Sequence, residues 1–131
     1  MVSNCFNCII FVTDNKIKMT PSKFIGILFQ SRDIMHLQHL KTMSFAEHKA
    51  LNAYYDGILE LTDSFVESYF GYYGRQELII PQSTAEDAIA HLKSLAKTIE
   101  AEYGNYPSCL QNIMDEMSAL VYKTLYLLTL T

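Results

Sequence analysis

The sequence predicts an all-α fold: a four-helix bundle with one long crossover between its second and third helices. Three observations carry this. Apolar residues recur at helical spacing from about residue 21 to the end of the chain. Helix-start signals stand at Thr20-Pro21, Ser44 and Pro107-Ser108. Gly and Pro are sparse, at five and three residues, which leaves four stretches long enough for bundle helices.

Residues 1–20 read as an N-terminal extension and 21–131 as the four-helix domain. Met19 directly precedes the first helix signal, so residues 1–18 have the character of an appendage. The first helix is expected over 21–42, where Pro21 suits the first turn and Phe24, Ile27, Leu28, Ile34, Met35, Leu37 and Leu40 keep the helical period. Ser44-Phe45-Ala46-Glu47 has the capping-box pattern and opens the second helix. Leu51, Tyr54, Ile58, Leu61, Phe65 and Tyr69 mark its buried stripe, and Gly71, reinforced by Gly74, is its expected end.

Residues 71–83 are expected to be irregular or extended, because Pro81 bars a simple helix. Ile79-Ile80 suggests a short strand or a buried strap. Twelve extended residues reach roughly 35–40 Å, enough to traverse a bundle. Ser83 with Glu86, or Thr84 with Asp87, is expected to cap the third helix. Its stripe is Ala85, Ala88, Ile89, Leu92, Leu95, Ala96 and Ile99, and Gly104-Asn105 ends it. Pro107-Ser108 opens the fourth helix, whose face carries Leu110, Ile113, Met114, Met117, Leu120, Val121, Leu125 and Leu128. That helix stays apolar to its end, more than one buried face needs, so a subunit contact is expected there.

Composition narrows the function classes. Half of the 131 residues are apolar and 18% are charged, as in a folded globular domain. Net charge is -4 and no basic run occurs, which weighs against a phosphate-backbone partner. Three cysteines make no disulfide framework, and the Cys5/Cys8 pair lacks the second pair a zinc site needs. No stretch reaches 18 consecutive apolar residues, and the N-terminus lacks a signal-peptide pattern. A soluble cytoplasmic protein without membrane contact is expected. No phosphate loop, nucleotide fingerprint or Ser-His-Asp set is visible.

The candidate site lies on the first hairpin. His36, His48, Asp63 and Glu67 combine imidazole and carboxylate, a donor set suited to iron. His36 and His48 fall at roughly 11 Å and 6 Å from the turn along antiparallel axes, within rotamer reach. Asp63 and Glu67, four apart, share one face of the second helix. Asp63 is fifteen residues beyond His48, about 22 Å on a straight helix. One chain cannot close this set around a metal. A two-fold dimer of antiparallel hairpins can, forming two equivalent intersubunit sites. His39 and His91 read as ordinary surface or core groups, and Tyr54 and Tyr55 as packing or interface residues.

The intervals of 12, 15 and 4 through these four residues resemble the ferroxidase pattern of the Dps-like branch of ferritins. Phe45 and the apolar or aromatic Leu51, Tyr55, Leu59 and Leu61 add to the likeness, which covers about residues 30–70. The resemblance implies a ferritin-like bundle in which His36 and His48 bind iron from one subunit and Asp63 and Glu67 from its partner. It implies ferrous oxidation by peroxide or dioxygen, ferric storage, iron as cofactor, a homodimer at minimum and a dodecameric shell. Many members of that family bind DNA, which this composition disfavours. Small bacteriophage-encoded relatives can be this short. Leu37 stands where that family usually has Trp, and Val66-Glu67-Ser68 lacks its common basic neighbour. No Glu-x-x-His pair occurs, which counts against a di-iron site within one bundle.

Two functions follow from the sequence. One is an oligomeric iron-binding ferroxidase. The alternative is a catalytically silent helical structural or interaction protein, viral in origin, that retains the hairpin.

Overall fold

The computed structural model describes residues 19–130, and every regular element among them is helical. α1 spans Pro21–Lys41, α2 Phe45–Tyr73, α3 Ala88–Glu102 and α4 Ser108–Leu127, with a 3-10 turn at Tyr103–Asn105. The expected N-terminal extension, including Cys5 and Cys8, lies outside the described residues apart from Met19 and Thr20.

Local chemistry sets the helix starts. Thr20 Oγ1 accepts from the Lys23 N–H at 3.2 Å, and Pro21 follows in the first turn, where no N–H is needed. Ser44 Oγ accepts from the Glu47 N–H at 3.2 Å. The return half of the capping box is not made. The Glu47 carboxylate instead takes the Thr42 hydroxyl and, at 3.4 Å, Gln38 Nε2, so it fastens the α1–α2 turn.

Two boundaries differ from expectation. α2 continues through Gly71 and stops at Gly74, whose φ of 101° is open to glycine and whose N–H donates to the Phe70 carbonyl. α3 begins at Ala88 rather than near residue 84. Its cap is Asp87, whose Oδ2 accepts from the Ala90 N–H at 2.9 Å. Residues 83–86 therefore extend the crossover.

Around the bundle the helices run in the order α1, α2, α4, α3. α1 and α2 are antiparallel, paired at Ser31–Tyr54 and His39–His48. α2 and α4 are antiparallel too: Gly57 meets Leu120, and Phe65 packs on Tyr106 just before α4. α3 and α4 fold back through the Tyr103–Asn105 turn. The diagonal pairs α1/α4 and α2/α3 consequently run parallel. No short turn can join a parallel pair, so the α2–α3 link must travel the length of the bundle.

That link lies along α1. Ser22 Oγ donates to Gln76 Oε1 at 3.4 Å, and Gln30 Nε2 donates to the Gln82 carbonyl at 3.0 Å. Between them the backbone presses on Gly26, where a Cβ would lie 2.5 Å from the Ile79 carbonyl oxygen. Because backbone faces α1, Ile79 and Ile80 are left exposed. The buried strap expected from their hydrophobicity is an exposed one, and no strand forms among the described residues.

The core is one continuous cluster. Leu28, Met35, Leu51, Tyr54, Ile58, Leu92, Ile99, Met114, Met117 and Val121 fill its length. Phe24, Phe65, Tyr69 and Tyr106 close one end with edge-to-face and tilted ring contacts.

Candidate functional site

The α1–α2 hairpin brings three histidines together, though not the set read from the sequence. His39 and His48 stack, with centroids 3.7 Å apart and planes at 19°. His39 Nδ1 lies 2.7 Å from the His48 carbonyl, and His48 Nδ1 lies 2.9 Å from the His39 carbonyl. A carbonyl only accepts, so both rings carry their proton on Nδ1 and each clamps the other helix. Neither Nδ1 is free to act as a ligand, which leaves only the Nε2 atoms for that role.

His36 stands one turn away. Its ring stacks on Tyr55 at 4.1 Å and lies edge-on to His39 at 5.8 Å. Arg32 packs on the same Tyr55 ring at 5.4 Å. Desolvation lowers the His36 pKa below its ordinary value, and the nearby Arg32 and His39 push the same way. His36 and His48 are therefore joined through His39 and Tyr55. The sequence signal for His39 was available: His39 and His48 are equally distant from the middle of the turn at Met43-Ser44.

Asp63 and Glu67 lie far down α2, both exposed. The structure does not bring them to the histidines. Among the described residues no group of three or more His, Cys, Asp or Glu side chains could hold a metal ion. Within one chain the four sequence-derived residues stay in two separate pairs along the hairpin.

A second polar cluster was missed by sequence reasoning. Ser31 Oγ lies 2.7 Å from both Tyr54 Oη and His91 Nε2, and His91 Nδ1 lies 3.4 Å from Glu86 Oε1. The carboxylate favours the proton on Nδ1, which leaves Nε2 to accept from Ser31 while Ser31 accepts from Tyr54. Burial lowers the His91 pKa, and Glu86 only partly offsets this. Burial also pushes the Tyr54 phenol well above its ordinary value. The connectivity Ser31–His91–Glu86 has the order of a nucleophile, base and orienting carboxylate. Ser31 is fully buried in mid-helix, however, so no substrate reaches its oxygen. The cluster ties α1, α2 and α3 together.

On the surface beside His36 runs a groove of about 490 Å³, lined by Arg32, Asp33, Leu37, Leu40 and Ile80 among others. Leu40 is 68% exposed, and Met43 and Phe45 at the hairpin tip are 100% and 75% exposed. Among the described residues no helix is long and apolar enough to cross a membrane.

Comparison with known proteins corrects the family resemblance. Residues 39–128 match DUF5856, described as a family of unknown function. The chain is 30% identical over 116 residues to the "Uncharacterized 14.6 kDa protein in mobD-ri intergenic region" of Enterobacteria phage T4, covering 84% of this chain and 91% of that one. No solved structure matches. The likeness to the Dps-like ferritins is overturned by these matches. It rested on four side chains and a helical stripe.

Proposed function

The chain belongs to the DUF5856 family, and from that premise we propose that it is a phage-encoded, self-associating helical interaction protein that pairs with a second copy through the outer face of the α1–α2 hairpin. The observation that carries this reading is the groove where Leu37, Leu40 and Ile80 stand exposed together, extended by the bare apolar tip at Met43 and Phe45. Apolar surface clustered in this way marks an interaction face.

Charge favours a second copy as the occupant. Arg32 and Asp33 border the same groove, one cation and one anion, 3.2 Å apart. A two-fold axis sets each Arg32 against the other copy's Asp33, so the face is complementary to itself. The phage T4 relative supports a phage origin and action inside the host cell.

Sedimentation across a concentration series tests this. A dimer or larger species is expected, and Leu40→Glu is expected to weaken association about tenfold or more, since it buries a charge. A wild-type chain that stays monomeric at roughly 100 μM would sink the proposal.

Iron oxidation is a second reading, and it depends on the same pairing. It is favoured by the exposure of Asp63 and Glu67 on α2 and the half-exposure of His36 beside the groove, which leave all three accessible to a partner. In this reading ferrous iron is the substrate, held by His36 and His48 of one copy and Asp63 and Glu67 of the other. An anaerobic ferrous titration followed by peroxide tests it. Saturable binding lost in Asp63→Ala is the expected result, and equal binding by that variant would exclude the reading while leaving self-association intact.

A further inference from the structure

At the opposite end of the bundle from the hairpin tip lies a crevice of about 280 Å³, lined by Met19 and Pro21 on one side and by Tyr69, Tyr73, Glu102, Asn105 and Tyr106 on the other. Its one charged lining residue is the Glu102 carboxylate, set among three aromatic rings. Glu102, the last residue of α3, is only 8% exposed. Its hydrogen bond among the described residues comes from Asn105 Nδ2, 3.1 Å from Oε1. The ion pairs among the described residues are Arg32–Asp33 and Glu86–His91, so no cation neutralises Glu102 there. A carboxylate withdrawn from water with one hydrogen bond has acceptor capacity left for a cationic partner.

The tyrosines add to the same preference. Tyr69 and Tyr106 meet at 70° with centroids 6.1 Å apart, and Tyr73 leans on Tyr69 at 4.6 Å. The wall is therefore a corner of aromatic surface rather than a flat stack. Burial raises the Tyr106 phenol, as do the neighbouring Glu102, Tyr69 and Tyr73, so its ring stays neutral. α2 and α3 both end here with no basic residue in their last turns, and their carbonyl ends add negative potential. α1 and α4 begin at the same end, so their N-termini offset part of this potential, and the preference rests on Glu102 and the rings.

We propose that this crevice binds a small organic cation: an alkylammonium group lodged against the tyrosines, with Glu102 as its counter-charge. Aromatic rings attract a cation through their negative faces, and a desolvated carboxylate strengthens the hold. A neutral ligand leaves Glu102 uncompensated and an anion is repelled by it. A divalent metal finds one carboxylate where it needs several hard oxygens. The ammonium comes either from a free quaternary amine or from a lysine side chain of another protein.

Calorimetric titration of the full chain tests the proposal, with three probes: choline, its neutral isostere bearing carbon in place of the ammonium nitrogen, and N-acetyl-lysine amide. Saturable binding of an ammonium probe is expected, with the isostere weaker by about tenfold or more. Tighter choline binding points to the free amine, and tighter binding of the lysine amide to a protein side chain. Glu102→Gln keeps the shape and is expected to weaken binding by about tenfold or more. Tyr73 is half exposed, so Tyr73→Leu leaves folding largely intact, and a loss of about threefold or more is expected. Equal affinity for the isostere overturns the proposal, as does the absence of saturation by both ammonium probes at about 50 mM. Unchanged binding in Glu102→Gln also overturns it. If that variant fails to fold, unchanged binding in Tyr73→Leu has the same force.

Discussion

Thr62 is fully buried on α2, and its Oγ1 has no hydrogen-bond partner among the described residues. A buried hydroxyl left unpaired costs about 1–3 kcal/mol, and valine has nearly the same shape without it. Thr62→Val is therefore expected to raise the unfolding free energy by about 1 kcal/mol, seen as a higher urea midpoint at unchanged slope. A lower midpoint would show that the hydroxyl is bonded in solution. Gly26 presents the opposite case. Alanine normally stabilises a helix interior by about 1 kcal/mol relative to glycine. Here the new Cβ would lie 2.5 Å from the Ile79 carbonyl oxygen, and backbone cannot swing aside as a side-chain end can. Gly26→Ala is expected to cost a net 1–3 kcal/mol or so by overpacking. A gain in stability would mean that the crossover lifts from α1 without loss. Gly26 was readable as a tolerated helix glycine, but not as a contact point, because its neighbour is 53 residues away in the chain.

At the scale of elements, what was legible in the sequence was local. Thr20-Pro21 and Ser44 act within three residues of themselves, and both helix starts fall where they point. The start of α3 was misread because Ser83, Thr84 and Asp87 are all competent caps, and tertiary position chose among them. Asp87 was chosen, and the residues before it carry Glu86 toward His91. The Glu86–His91–Ser31–Tyr54 cluster spans two helix junctions, so no local pattern announces it. It also yields a sharp test. Ser31→Ala removes the oxygen that pairs Tyr54 and His91, leaving two buried polar atoms without partners. A loss of about 2–4 kcal/mol is expected. Adding Tyr54→Phe to that variant removes one orphan, so the double variant is expected to lose less than the sum of the two singles. Strict additivity of the two changes would show that the hydrogen bonds are not coupled.

For the whole molecule, the bundle was legible because helical periodicity persists through four stretches, and the crossover because Pro81 and its neighbours cannot continue a helix. The candidate site was legible only in part. The spacing placed His36 and His48 on facing helices, yet it passed over His39, whose role follows from the register of α1 against α2. Pairing of antiparallel helices, like pairing across a dimer, is set by packing that no single stretch encodes. The histidines also give the molecule a global pH response. His36 and His91 both have folded-state pKa values below the ordinary 6.5, first through burial. Below that ordinary value the unfolded chain takes up protons that the folded chain refuses, so stability must fall as pH falls. Their contribution is complete above the unfolded value and is lost as pH drops through the folded values. Urea midpoints are therefore expected to decline from about pH 7.5 to about pH 5. His91→Gln, which offers an amide where the ring stood and cannot titrate, is expected to be less stable at the upper pH and to show a shallower decline. A decline as steep as wild type would place the response on other groups and remove His91 from the account.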